Sequence, residues 1–155
     1  VIGTRVFRGL LFATAITGAA VSSAPGESDP PAALFVPHVD MKTFMEHVLT
    51  PAATVIWRSN GVIIDERGEH DLSPKSEADW EQIVSAAATL AEATNALMIP
   101  QRVPDQAWIS YARDLSQAAD KAYHAAEQHD PKSVSEVSDQ LDGICAACHR
   151  HYGLE

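Results

Sequence analysis

The chain has 155 residues and carries 21 acidic against 11 basic side chains, a formal net charge of −10. Such an acid excess argues against nucleic acid, which demands clustered Lys and Arg, and suits protein partners that present positive patches. Without its first 24 residues the chain is of about 130 residues, enough for one modest core and one domain.

Residues 1–24 read as an export signal or a membrane tether. Arg5 and Arg8 precede the apolar run Gly9–Val21, and the small residues Ser22–Ala24 follow, which is the layout of a secretory signal. The run is short of the about 20 residues that a full span needs, which favours removal after export over retention as a tether. Residues 25–35, which open with Pro25-Gly-Glu-Ser-Asp-Pro-Pro31, are expected to be a flexible N-terminal segment, and 36–155 the folded domain.

A first helix is expected over 38–57, where Met41, Met45, Val48, Ala52 and Ile56 recur at spacings of three and four. Pro51 would leave the His47 carbonyl without its helical partner, so a kink or break is expected there. After Ser59-Asn-Gly61 comes a long connection. Its apolar Val62–Ile64 is read as a plug in a loop, since a lone strand has nothing to pair with.

Ser76 and Asp79 form a capping box ahead of a second helix with Trp80, Ile83, Ala87, Leu90 and Leu97 inward, ended by Ile99-Pro100. Asp105 caps a third helix facing inward with Trp108, Ala112, Leu115 and Ala119. After Asp130-Pro131, Ser133 with Glu136 reads as another capping box, and the fourth helix carries Val134, Val137, Leu141 and Ile144. Trp57, Trp80 and Trp108 stand at helix ends and are read as core anchors. Short connections between amphipathic helices describe an all-α fold, an antiparallel four-helix bundle.

The fourth helix ends in Cys145-Ala-Ala-Cys148-His149, which contains the only two cysteines of the chain. Two thiols at this spacing can bond the two vinyl groups of a haem, and the following imidazole can reach the iron. Cys145 and Cys148 share a helix face with Leu141 and Ile144. The rivals are a disulfide or reactive Cys-x-x-Cys, or a haem-free helical bundle; neither explains His149, and a thioredoxin-like pair would open a helix after a strand.

A Cys-x-x-Cys-His near the C-terminus of a signal-bearing, four-helix chain resembles the class II cytochromes c, the cytochrome c-prime and low-spin cytochrome c-556 group. The resemblance covers roughly residues 36–153. It implies a cytochrome c-prime-type bundle with C-terminal haem attachment, in which Cys145 and Cys148 hold one covalent haem (heme c), His149 is the proximal iron ligand, and the distal residue comes from the first helix. Met41 and Met45 are both candidates, with Met45 preferred; Met41-Lys42 imitates a pair common in the family, and either methionine can instead be core filler. His47 should face away. Arg150 and Arg102 are candidates for the haem propionates. The long connection over 59–75 and the three tryptophans depart from the family's best-known members and suggest a divergent subgroup.

The function implied is that of a periplasmic electron carrier, low-spin with His/Met ligation, working with redox partner proteins. The alternative is a five-coordinate, high-spin protein that takes up nitric oxide or carbon monoxide. Enzyme activity is not expected, because no carboxylate pair or base is positioned by sequence. A homodimer through the first two helices is a further expectation from the resemblance.

Overall fold

The computed structural model describes residues 35–154, so the expected export segment 1–24 and residues 25–34 lie outside the described residues. What is described is mostly helical, in keeping with an all-α chain. No helix among these residues is long and apolar enough to cross a membrane.

The first helical stretch is built from three contiguous pieces: α1 (Met41–Phe44), a π-helical turn (Met45–Leu49) and α2 (Thr50–Trp57). Its start is later than His38 because Asp40 is the N-cap, its carboxylate accepting from the Thr43 N–H over 2.7 Å. The expected break at Pro51 is instead a widening: the Thr50 N–H donates to the Met45 carbonyl, five residues back, and the proline falls in the first turn of α2. There its missing N–H and fixed φ are tolerated.

The reading of Val62–Ile64 as a loop plug is corrected. Val62–Asp65 forms β1 and pairs antiparallel with β2 (Gly68–Asp71), Val62 opposite Asp71 and Asp65 opposite Gly68. The Asp65 carboxylate accepts from the Arg67 N–H over 2.7 Å, and Gly68 takes φ of +114°, which makes the turn tight enough to close a hairpin. Every residue of the hairpin is exposed, so it plugs nothing.

Helix α3 (Glu77–Leu97) opens with the expected reciprocal box between Ser76 and Asp79. A single 3₁₀ turn, Pro100–Arg102, separates it from α4 (Gln106–Glu127), capped by Asp105 through the Trp108 N–H. The last helix, α5 (Pro131–His151), starts earlier than the Ser133–Glu136 box implied. Its N-cap is Asp130, which accepts from the Lys132 and Ser133 N–H groups and from the Ser133 hydroxyl. Pro131 takes the first helical position, where proline is preorganised.

Packing follows the apolar stripes. α3 lies against α4, α4 against α5, and α2 against both α3 and α5. Ile56, Ile83, Leu90, Val134 and Leu141 are the large side chains at the centre, and a row of alanines on α4, Ala118, Ala119, Ala122 and Ala126, is also buried. Each large aliphatic side chain so buried contributes about 1.5–3 kcal/mol, and the alanines let neighbouring backbones approach. The Trp108 indole N–H donates to the Leu97 carbonyl over 2.8 Å and joins the end of α3 to the start of α4.

Candidate functional site

The site begins on one helix face. In α5, Leu141 is fully buried, while Ile144, Cys145, Cys148 and His149 are half-buried and turn toward a cleft. The helix ends just beyond them in a Schellman turn: the Leu154 N–H donates to the His149 carbonyl over 3.0 Å and the Gly153 N–H to the Arg150 carbonyl over 3.2 Å. Gly153 adopts φ of +66°, which this turn requires. Tyr152 then reaches Asp105 at the start of α4. The residues that follow Cys148 are therefore held at their carbonyls and through one side chain.

Across the cleft stand Met45, Leu49, Ala53 and Trp57, every fourth residue of the first helical stretch. Leu90 and Leu97 of α3 and Trp108, Ala112 and Leu115 of α4 complete an apolar wall, with Tyr111 beside them. The empty space between these walls is about 640 Å³, part of it open to solvent. No Lys, Arg, Asp or Glu lines it.

The cysteines are free thiols in this arrangement. Burial, with the neighbouring Cys148 and Asp142 adding to it, pushes the Cys145 thiol up to about 11, and burial raises that of Cys148. A redox-active or nucleophilic pair needs the opposite shift, toward thiolate at neutral pH. The pair also lies well inside a helix, not at a helix N-terminus.

Of the expected site residues, the structure brings Cys145, Cys148, His149 and Met45 to one cleft. Met41 does not line it and packs, half-buried, against the core. Arg102 is engaged elsewhere: its guanidinium lies 4.4 Å over the Phe44 ring and donates to the Val39 and Ala96 carbonyls over 2.9 and 3.1 Å. Arg150 is exposed and outside the lining. His47 is exposed on another face of the stretch, as expected. Among the cleft residues that sequence reasoning did not assign to the site are Trp57 and Tyr111. For Trp57 a signal existed, since it continues the four-residue spacing from Met45.

Chemically, the cleft offers two neutral thiols one helical turn apart, an imidazole next to them, and a thioether sulfur on a facing helix. Among the described residues no group of three or more His, Cys, Asp or Glu is gathered to hold a bare metal ion. Comparison of the chain with protein-family models, curated proteins and solved structures gives no match.

Proposed function

We propose that this chain is an exported, periplasmic c-type cytochrome of the class II kind: an antiparallel four-helix bundle of cytochrome c-prime type that carries single electrons. One covalent haem would be held by Cys145 and Cys148, and His149 and Met45 would bind its iron. The observation that carries the reading is that one apolar cleft, lined from four helical segments, gathers both thiols, the adjoining imidazole and a facing methionine.

The donor set fits the group. Cys145 and Cys148, both free, would hold the group through two thioether bonds, which reduced cysteines can form without an oxidant. Cys145 and Cys148 share one helix face, so both bonds can form to the same ring edge. His149, held by the turn that follows it, presents an imidazole, and Met45 presents a soft sulfur from the opposite wall. When bound, the haem supplies an iron that gains or loses one electron. Leu49, Leu90, Leu97 and Leu115 would exclude water around it and lower the local dielectric, which with the Met45 sulfur would set the potential. Two strong ligands keep reorganisation small, which suits a carrier rather than an enzyme. The acidic surface suits docking to a redox partner with a basic patch.

Expression with a haem-attachment system tests this. The expected result is a chain heavier by one haem, resistant to acid extraction, with a low-spin spectrum and a sulfur-to-iron band at the red edge when oxidised. No added mass would overturn the reading. A high-spin spectrum with carbon monoxide uptake would replace electron carriage by the binding of a gaseous ligand at a five-coordinate iron.

A further inference from the structure

Trp57 closes the four-residue stripe that begins at Met45, and its indole lines the cleft. Its Nε1 is buried and has no hydrogen-bond partner, the one such side-chain nitrogen or oxygen among the described residues. Trp108, also on the cleft wall, differs in that its Nε1 is paired with the Leu97 carbonyl. Buried donors in native folds are nearly always paired. An unpaired one at the wall of a cleft is a place where a ligand can bring the acceptor.

The chemistry of the proposed ligand narrows that acceptor. In an iron-bound haem the pyrrole nitrogens are occupied by the metal, and the periphery is hydrocarbon, thioether and two propionate carboxylates. The carboxylates are the only strong acceptors. No Lys or Arg lines the cleft, and Arg102 is spent on Phe44 and two backbone carbonyls. A propionate entering this cleft therefore meets the indole N–H in place of a cation.

We propose that Trp57 Nε1–H is the hydrogen-bond donor to a haem propionate. The proposal rests on the covalent-haem reading and adds to it a residue that senses the charge of the group's edge. A hydrogen bond to the ionised carboxylate favours the ionised form and lowers its pKa; removing the donor raises it. Because protonation of a propionate is linked to the charge on the iron, the reduction potential changes with pH across that titration. The position of its inflection reports the state of the propionate.

The test uses haem-bearing wild type and Trp57→Phe, with the potential measured against pH and the indole protons of reduced wild type followed by NMR. The expected result is an inflection moved upward by about one pH unit in the variant, a roughly tenfold gain in proton affinity. A slowly exchanging Trp57 indole proton is expected in wild type, and this second readout stands even if the variant folds poorly. Coincident inflections in the two proteins, or a Trp57 indole proton exchanging at the solvent rate, overturn this proposal alone. Loss of the sulfur-to-iron band in the variant with an unmoved inflection also overturns it, by assigning the indole to the distal side. A wild-type chain that takes up no haem overturns the cytochrome reading itself, and this proposal with it.

Discussion

The hydroxyl of Tyr152 donates to Oδ1 of Asp105 over 2.8 Å, across forty-seven residues of sequence, and ties the last turn of α5 to the first turn of α4. Asp105 serves both helices, because the same oxygen accepts from the Trp108 N–H. Trp108 in turn packs edge-on against the Tyr152 ring, with centroids 5.5 Å apart. Asp105→Ala removes the cap and the tie together and is expected to lower the melting temperature by about 5 °C. Tyr152→Phe keeps the ring contact and the cap, and its effect is expected to be roughly half as large. Thermal unfolding followed by circular dichroism checks the order; equal effects would mean that the tie, not the cap, dominates.

Asp40, Asp79, Asp105 and Asp130 are all held below the usual carboxylate range. Backbone N–H groups of Thr43, Lys75 and Trp108 are the main cause for the first three, and the Ser133 hydroxyl for Asp130. A depressed folded-state pKa means that the unfolded chain binds protons first. The stability these groups contribute is complete above about pH 4 and is lost as pH falls through their folded-state values. Urea midpoints should therefore be flat between pH 6 and 5 and fall below 4. Asp79→Asn with Asp130→Asn should make that fall shallower.

Met45 and Met41 are separable by spectrum. If the chain carries the proposed haem, Met45→Ala is expected to abolish the sulfur-to-iron band and open the iron to carbon monoxide, whereas Met41→Ala should keep the band and lose only packing, about 2 kcal/mol in urea unfolding. The reverse outcome would move the distal ligand one turn toward the N-terminus.

Much of the helical plan is legible in the sequence because caps are local chemistry. Ser76 with Asp79 and Asp105 lie where the structure has them, and the spacing from Trp80 to Leu97 corresponds to the buried face of α3. The misreadings have local causes too. Ser133 and Glu136 match a capping pattern, but Asp130, a charged acceptor, takes both the Ser133 N–H and the Ser133 hydroxyl. Val62–Ile64 looked unpartnered because its partner, Gly68-Glu-His-Asp71, is polar and carries no strand pattern. At the candidate site, the cysteines and His149 are legible as a motif. The choice between Met45 and Met41 is not, because both lie on one helical face until the π-turn and the tertiary contacts of α3 and α4 decide which meets the cleft.

Gly153 gives a clean backbone test. A Cβ placed on it would meet nothing within 4 Å, so only its φ of +66° opposes a side chain. Gly153→Ala should cost about 1 kcal/mol in urea unfolding, while Gly143→Ala, inside α5 and equally open, should stabilise by about 0.5–1 kcal/mol. Opposite signs at two unobstructed glycines would show that the cost is conformational.

The β1–β2 hairpin leaves Val62, Ile63 and Ile64 half or more exposed. Its base is closed by the Leu72 N–H donating to the Gly61 carbonyl over 3.0 Å. Replacing 62–71 by a short Gly/Ser connection should change the melting temperature by less than about 3 °C, because loop length enters stability only weakly. A larger loss, seen by calorimetry, would mean that the hairpin supports α3.

The corner between α4 and α5 has a consequence for how the chain folds. The Asp130 N–H closes α4 by donating to the Ala125 carbonyl over 2.9 Å, while its carboxylate opens α5. His129 at that corner takes φ of 52° and stacks on Trp80 at 4.9 Å. With so little chain between them, α4 and α5 close on each other at a smaller entropic cost than any pairing of α5 with α2, and local pairings of this kind form fast. The helix bearing Cys145, Cys148 and His149 is thus expected to find its first neighbour before the wall carrying Met45 arrives. That order would leave both thiols exposed while the cleft is still one-sided, which is the interval that the proposed haem attachment needs.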